Sequence, residues 1–137
     1  MATQKNLSKP LNITLWVLQV LLGAMFLMAG ITKATQPIAQ LDAMLPWADE
    51  VPEALVRFIG LSEILGGLGL VLPMLLKVRP VLTPLAAAGL ALIMVLAAIF
   101  HFSRGEMSGI GVNIVMMLLL ALIAWSRYTS LPAAANS

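Results

Sequence analysis

Apolar residues dominate four long runs of the chain, at about 11–32, 54–76, 81–102 and 108–126, with short polar clusters and one longer connection, 34–53, between them. A hydrocarbon core about 30 Å thick takes about 20 helical residues to cross, and each run is close to or beyond that length. None alternates with the period of two that a lipid-facing barrel strand requires, and backbone groups in lipid must be satisfied within their own segment. The runs therefore predict four spanning α-helices packed as an all-α four-helix bundle, a single membrane domain over 1–137.

The connection 34–53 carries a short helical pattern after Pro37, with Ile38, Leu41, Met44 and Leu45 on one face and Gln40 and Asp42 off it. Pro46-Trp47 and Val51-Pro52 break the pattern, Trp47 suits the headgroup layer, and Pro52 with Glu50 and Glu53 fits the start of the second span. Such a piece lies along the outer membrane surface, either as a plain connector or as a lid over the bundle.

Composition agrees with a bilayer protein: 61% of the 137 residues are apolar and 10% are charged, against about a quarter charged in soluble domains. Charge also gives the spans a direction. Four crossings bring both termini and the Lys77-Val78-Arg79-Pro80 turn to one side, which carries Lys5, Lys9, Lys77, Arg79 and Arg127 and no acid. The positive-inside rule makes that side, and both termini, cytoplasmic. The apolar part of the first span exceeds a signal peptide's 7 to 15 residues and runs into Lys33 where a small-residue cleavage site would stand, so it reads as a retained span.

Several chemistries are excluded early. There is no cysteine, hence no disulfide exchange, thiolate nucleophile or thiolate metal site, and no His or carboxylate spacing suggests another metal site. Gly66-Gly67-Leu68-Gly69 lies within a span and lacks the strand and helix that flank a nucleotide loop. The net charge of +2 describes sidedness, since no basic cluster interleaves with aromatics as nucleic-acid binding would need.

Glu63 is the most informative residue, because a carboxylate inside a span costs roughly 2.5 to 3.5 kcal/mol and calls for a partner or a purpose. Gly60, Glu63 and Gly67 fall on one side of the second span. Gln19, Gly23, Phe26, Gly30 and Lys33 form one stripe on the first, so these two helices are expected to meet along faces of small residues. By depth, Lys33, Arg57, Glu63, His101, Arg104, Glu106 and Asn113 gather in the outer half, while the inner half has little beyond Gln19 and Thr83. Simpler roles stand beside a site: Lys33, Arg57 and Arg104 as snorkelling cations, His101 as an interfacial side chain, Asn113 as interhelical glue, Glu63 in a structural ion pair with Lys33 or Arg57 or facing His101, the methionines as packing.

These residues also carry a family resemblance. Gly23-Ala24-Met25-Phe26 with Ala29-Gly30-Ile31-Thr32-Lys33, and Glu63-Ile64-Leu65-Gly66-Gly67-Leu68-Gly69-Leu70-Val71-Leu72-Pro73, resemble the first and second helix signatures of the DoxX family of small four-span bacterial membrane proteins. The similarity runs on through Leu82-Thr83-Pro84-Leu85-Ala86-Ala87, Phe100-His101-Phe102-Ser103-Arg104-Gly105-Glu106 and Asn113. It implies the fold, and a place in the inner membrane of a bacterium, more firmly than an activity. Some relatives are linked to membrane oxidoreductases, including a thiosulfate:quinone oxidoreductase subunit, others to quinone or thiol stress, and a related animal branch to assembly or export of other proteins.

Three functions follow as expectations. In the first, a redox-associated accessory protein binds a quinone or similar amphiphile, its head at Lys33, Glu63, His101 and Asn113 and its ring and tail against Phe26, Met94 and other methionines. In the second, the chain is a structural or assembly subunit of a larger membrane complex or a homo-oligomer, packing through Thr83, Ala87, Met94, Ala97, Ala98 and His101 of the third span. The third, a proton-linked carrier of a small solute, needs polar residues reaching the inner half. Nothing identifies a nucleophile, so catalysis by the chain alone is the least favoured reading.

Overall fold

The structure, a computed structural model, describes residues 6–131. It contains five helices: α1 (Lys9–Thr35), α2 (Ile38–Met44), α3 (Glu53–Leu75), α4 (Leu82–Ser103) and α5 (Ser108–Ser130). No strand occurs among the described residues. The four long helices, of 22 to 27 residues, are apolar and long enough to cross a membrane. Lys5, counted in the charge asymmetry above, lies outside the described residues.

α1 is longer at both ends than its apolar run. Ser8 caps it by accepting from the Leu11 amide, and Pro10 sits in the first turn, where its missing N–H costs nothing. At the other end Thr32 and Thr35 donate to the carbonyls four residues back, so their hydroxyls need no water. α5 continues past its predicted end at 126 to Ser130, taking Arg127 into the helix.

α1 packs on α3, α3 on α4 and α4 on α5, and α1 touches α5. Glycine makes the first of these contacts close. A methyl group added to Gly60 would stand 2.8 Å from both the Ala34 nitrogen and the Gly30 carbonyl oxygen, and one added to Gly67 would stand 2.7 Å from the Gly23 oxygen. At these points backbone meets backbone, which only small residues permit.

The α3–α4 contact is concentrated at the end where the chain enters α1 and leaves α5, here the terminal end. A methyl on Gly66 would strike Leu90, and one on Gly69 would strike Ala86. Pro73 has no N–H to give to the Gly69 carbonyl four residues back. The buried Thr83 hydroxyl donates to that carbonyl across the helix interface at 2.9 Å, so the group is not left bare in lipid. Between the two ends Leu15, Leu22 and Phe26 of α1, Leu70 of α3, Leu90 of α4 and Leu120 and Ile123 of α5 form the apolar core.

The opposite, loop end is covered by α2 and the segment after it. Leu41, Ala48 and Val56 are buried there, with Ile38, Leu45, Trp47 and Val51 packed around them. Met44 departs from its expected place on this face. It is the last residue of α2 and is 59% exposed, pointing away from the cluster that Leu41 anchors.

Candidate functional site

Lys33 stands in the last turn of α1 and Glu63 about three turns into α3. The Gly30–Gly60 approach brings them together: Lys33 Nζ donates to Glu63 Oε1 at 2.8 Å and to Oε2 at 3.1 Å. The Glu63 side chain is 4% exposed and that of Lys33 15%, so the pair lies in a poorly solvated setting. The two charges offset each other, and Glu63 keeps lone pairs beyond those Lys33 uses.

Arg57 takes a different role from the expected partner of Glu63. Its Nη1 donates to the carbonyls of Lys33 and Gln36 at 2.8 and 2.7 Å, and its Nη2 to Glu53 one turn earlier. A guanidinium on the free carbonyls of a helix C-terminus satisfies them and complements the dipole. Arg57 thus caps α1 and holds the Lys33 backbone in place.

At the α4–α5 turn His101 Nδ1 lies 2.7 Å from Glu106 Oε2, while Arg104 bonds the other Glu106 oxygen and reaches across to Glu50 in the segment after α2. The Arg104 hydrogen bond, then the His101 one, hold the Glu106 carboxyl below its ordinary range. An ionised carboxylate only accepts, so His101 Nδ1 carries the hydrogen and Nε2 is left for another partner. Trp47 meets Phe100 edge to face with centroids 5.8 Å apart. This contact and the Arg104–Glu50 bond tie the α2 segment over the ends of α4 and α5.

Beneath that cover lies a cavity of about 410 Å³, within the usual range for small-molecule sites. Lys33, Glu63, His101 and Asn113 all reach its wall, which is otherwise mostly apolar, with Phe58 and Ile59 from α3 and Met94 and Phe100 from α4. Asn113 Nδ2 is buried and has no hydrogen-bond partner among the described residues. Such an orphan donor costs about 1–3 kcal/mol.

The other expected site residues fall elsewhere. Arg57, Arg104 and Glu106 support the wall without forming it. Phe26 lines no part of the cavity: it is 4% exposed in the core, because its stripe faces the other helices at mid-depth. Gly23, Gly30, Gly60 and Gly67 build the α1–α3 seam, and only Met94 of the expected lining reaches the space. Thr83 and Ala87, expected on a partner-binding face, are buried within the chain's own packing.

A second polar group, at the terminal end, went unforeseen. Arg127 is 2% exposed; its Nε donates to Gln19 Oε1 and its Nη1 to Asn12 Oδ1, both at 2.6 Å, with its guanidinium 5.4 Å from the centre of the Trp16 ring. Gln19 Nε2 donates in turn to the Leu70 carbonyl at 2.7 Å. The terminal-end half, expected to hold little beyond Gln19 and Thr83, therefore carries Asn12 and Arg127 as well. The missed signal was the absence of any breaker between Ser126 and Ser130, which lets α5 carry Arg127 inward beside Asn12 and Gln19, two helical turns apart.

Four apolar spanning helices, with a mostly apolar cavity that carries a few polar side chains at one end, define a multi-pass, all-helical membrane protein. The chain belongs to the DoxX-like family, which matches residues 17–123. That stretch contains Lys33, Glu63, His101 and Asn113 and stops short of Arg127. Neither curated proteins nor solved structures give a match.

Proposed function

We propose that the cavity binds a lipid-soluble amphiphile, a quinone or a molecule like it, and that the protein is a redox-associated accessory in a bacterial cytoplasmic membrane, with the loop end outward. The observation that carries this reading is the mostly apolar cavity itself, whose wall brings Asn113 and His101 together with the Lys33–Glu63 pair. A carbonyl-bearing ring fits such a wall, with the tail passing out between α3 and α4. Placing the loop end outward rests on the bases Lys9, Lys77 and Arg79 at the terminal end.

The scaffolding alternative draws on the pairing of Lys33 with Glu63, which by itself clamps α1 to α3. A carrier gains the terminal-end polar group, yet Leu22, Phe26, Leu90 and Leu120 separate the two ends with a dry core. Native mass spectrometry of the chain released from its own membrane in a lipid-retaining polymer separates the first two readings. A retained small molecule, lost in Asn113→Leu and diminished in Glu63→Gln, supports the binding site. A stoichiometric protein partner with no small molecule, unchanged by either substitution, refutes it in favour of a scaffold.

A further inference from the structure

The bonds between helices divide the protein into two halves, with a strong joint at one end and a weak one at the other. α1 and α3 make up one half: glycine brings their backbones together, Lys33 bonds Glu63, Arg57 bonds the Lys33 and Gln36 carbonyls, and Gln19 bonds the Leu70 carbonyl. α2 belongs to the same half, because the small core of Leu41, Ala48 and Val56 seats its segment on α3. α4 and α5 pack together as the other half, and in the turn between them His101 and Arg104 both bond Glu106.

At the terminal end buried groups join the halves. The Thr83 hydroxyl donates to the Gly69 carbonyl at 2.9 Å, Leu90 packs on Gly66, and Arg127 donates to Gln19 and Asn12, both at 2.6 Å. Thr83, Gln19 and Arg127 are buried, so water does not compete for these bonds. At the loop end, among the described residues, only Trp47 on Phe100 and Arg104 on Glu50 cross between the halves by a ring contact or a bond. The Arg104 and Glu50 side chains are 23% and 52% exposed, and an ion pair open to water is weak. The cavity also lies between the halves on this side, so side chains there face open space where the terminal end has packed core.

We infer that the protein opens at its loop end: α4 and α5 swing away from α1, α2 and α3 about the terminal-end contacts, and Trp47–Phe100 with Arg104–Glu50 is the clasp whose release uncovers the cavity. Packed helices move where the contacts between them are weakest, and here that is the clasp. As a device for loading the cavity this rests on the amphiphile-binding reading above; the motion itself is tested without any ligand.

The chain has no cysteine, so single cysteines report without background. Ala97→Cys stands on the cavity wall and Ala87→Cys in the buried terminal-end core. In lipid nanodiscs a charged methanethiosulfonate reaches Ala97→Cys only through the cover, because Leu55, Phe58 and Leu96, which line the cavity's side, are exposed where lipid lies. Trp47→Ala with Glu50→Gln should raise the labelling rate at Ala97→Cys about tenfold, the combined worth of an aromatic pair and an exposed ion pair expressed as a population. Labelling at Ala87→Cys should not change. Glu53→Gln, which removes an acid bonded to Arg57 within one half, should leave both rates as they were.

Spin labels at Met44→Cys and Met107→Cys, one on each half and both exposed, should gain a longer-distance population in the clasp variant, while labels at Leu76→Cys and Tyr128→Cys at the terminal end keep theirs. Unchanged Ala97→Cys labelling and an unchanged loop-end distance overturn the inference. So does equal loosening at both ends, which would mean general destabilisation. Should the double variant fail to fold, Glu50→Gln alone, at an exposed side chain, decides by a rise of about threefold or none. A rigid loop end in a chain that retains a small molecule sinks the motion alone, and a chain that opens yet retains none sinks the amphiphile reading alone.

Discussion

Replacing Gly30 by alanine puts a methyl group where two backbones already touch, and the consequence can be worked from the structure. The new carbon would lie 2.5 Å from the Gly60 carbonyl oxygen, 2.7 Å from the Ile64 nitrogen and 2.8 Å from Ile64 Cγ1. Ordinary contact begins near 3.4 Å, so α1 and α3 must part locally by about 1 Å; two of the three obstacles are backbone and cannot rotate away. Overpacking of this kind costs typically 1–3 kcal/mol, against a gain of roughly 0.5–1 kcal/mol from replacing glycine in a helix. The net expectation is a loss of about 1–2 kcal/mol. The movement also strains the Lys33–Glu63 pair one turn away, 2.8 Å long in the native chain. Gly89→Ala and Gly111→Ala are the controls, since a methyl at either position meets nothing within 4 Å and should be neutral or mildly stabilising. Thermal unfolding of the purified variants in one detergent gives the comparison. Gly30→Ala as stable as Gly89→Ala would refute the close seam and, with it, the account of how Lys33 reaches Glu63.

Glu63→Leu leaves Lys33 without its carboxylate and should destabilise the chain by about 3 kcal/mol, whereas the double variant Lys33→Met with Glu63→Leu should regain at least half of that; a double variant no better than the single one would mean the pair is not the source. Arg127→Leu strands Gln19 Oε1 and Asn12 Oδ1 and should cost about 2 kcal/mol by thermal unfolding while leaving amphiphile affinity unchanged, because the dry core separates the two ends. Glu106 is held below its ordinary value of 4.5 by Arg104 and His101, so its contribution is complete above about that pH and is lost as the pH falls through the lower folded value. Fluorescence of Trp47, with Trp16 and Trp125 replaced by Phe, should therefore report loosening of the cover only below pH 4.5; a transition between pH 5 and 7 would contradict the assignment.

The spans were legible because length and apolarity in lipid admit few alternatives, and the α1–α3 seam because glycines at helical spacing leave few other uses. Lys33 with Glu63 could be narrowed to a short list from depth, yet choosing among Lys33, Arg57 and His101 needed the crossing geometry. Arg57 illustrates the difficulty: its partners are the Lys33 and Gln36 carbonyls, main-chain groups present in every sequence and therefore invisible to a search over side chains. Arg127 was hidden differently. Hydropathy ends a span at its first charge, whereas a guanidinium with neutral amides to bond and a Trp16 face beneath it can lie inside.

The cavity itself follows from an asymmetry along α3. On the side facing α1, glycines recur at 60 and 67 and keep the two helices close from one end to the other, with Gln19–Leu70 and Lys33–Glu63 bonded near the ends of the seam. On the side facing α4, glycines 66 and 69 stand only toward the terminal end, and the residues above them are Ile59, Ser62, Phe58 and Leu55. α4 is therefore drawn in at one end and held off at the other. Filling the gap with larger side chains on α4 would have closed it, but that helix brings Ala97 and the flexible Met94 to the same depth. The open space is thus encoded by where small residues occur on two faces of one helix, and exchanging them should move it. Ile59→Gly should let α4 approach and shrink the cavity, and Gly66→Leu should force the helices apart at the terminal end. A cavity whose ligand capacity survives Ile59→Gly unchanged would show that something other than this taper holds it open.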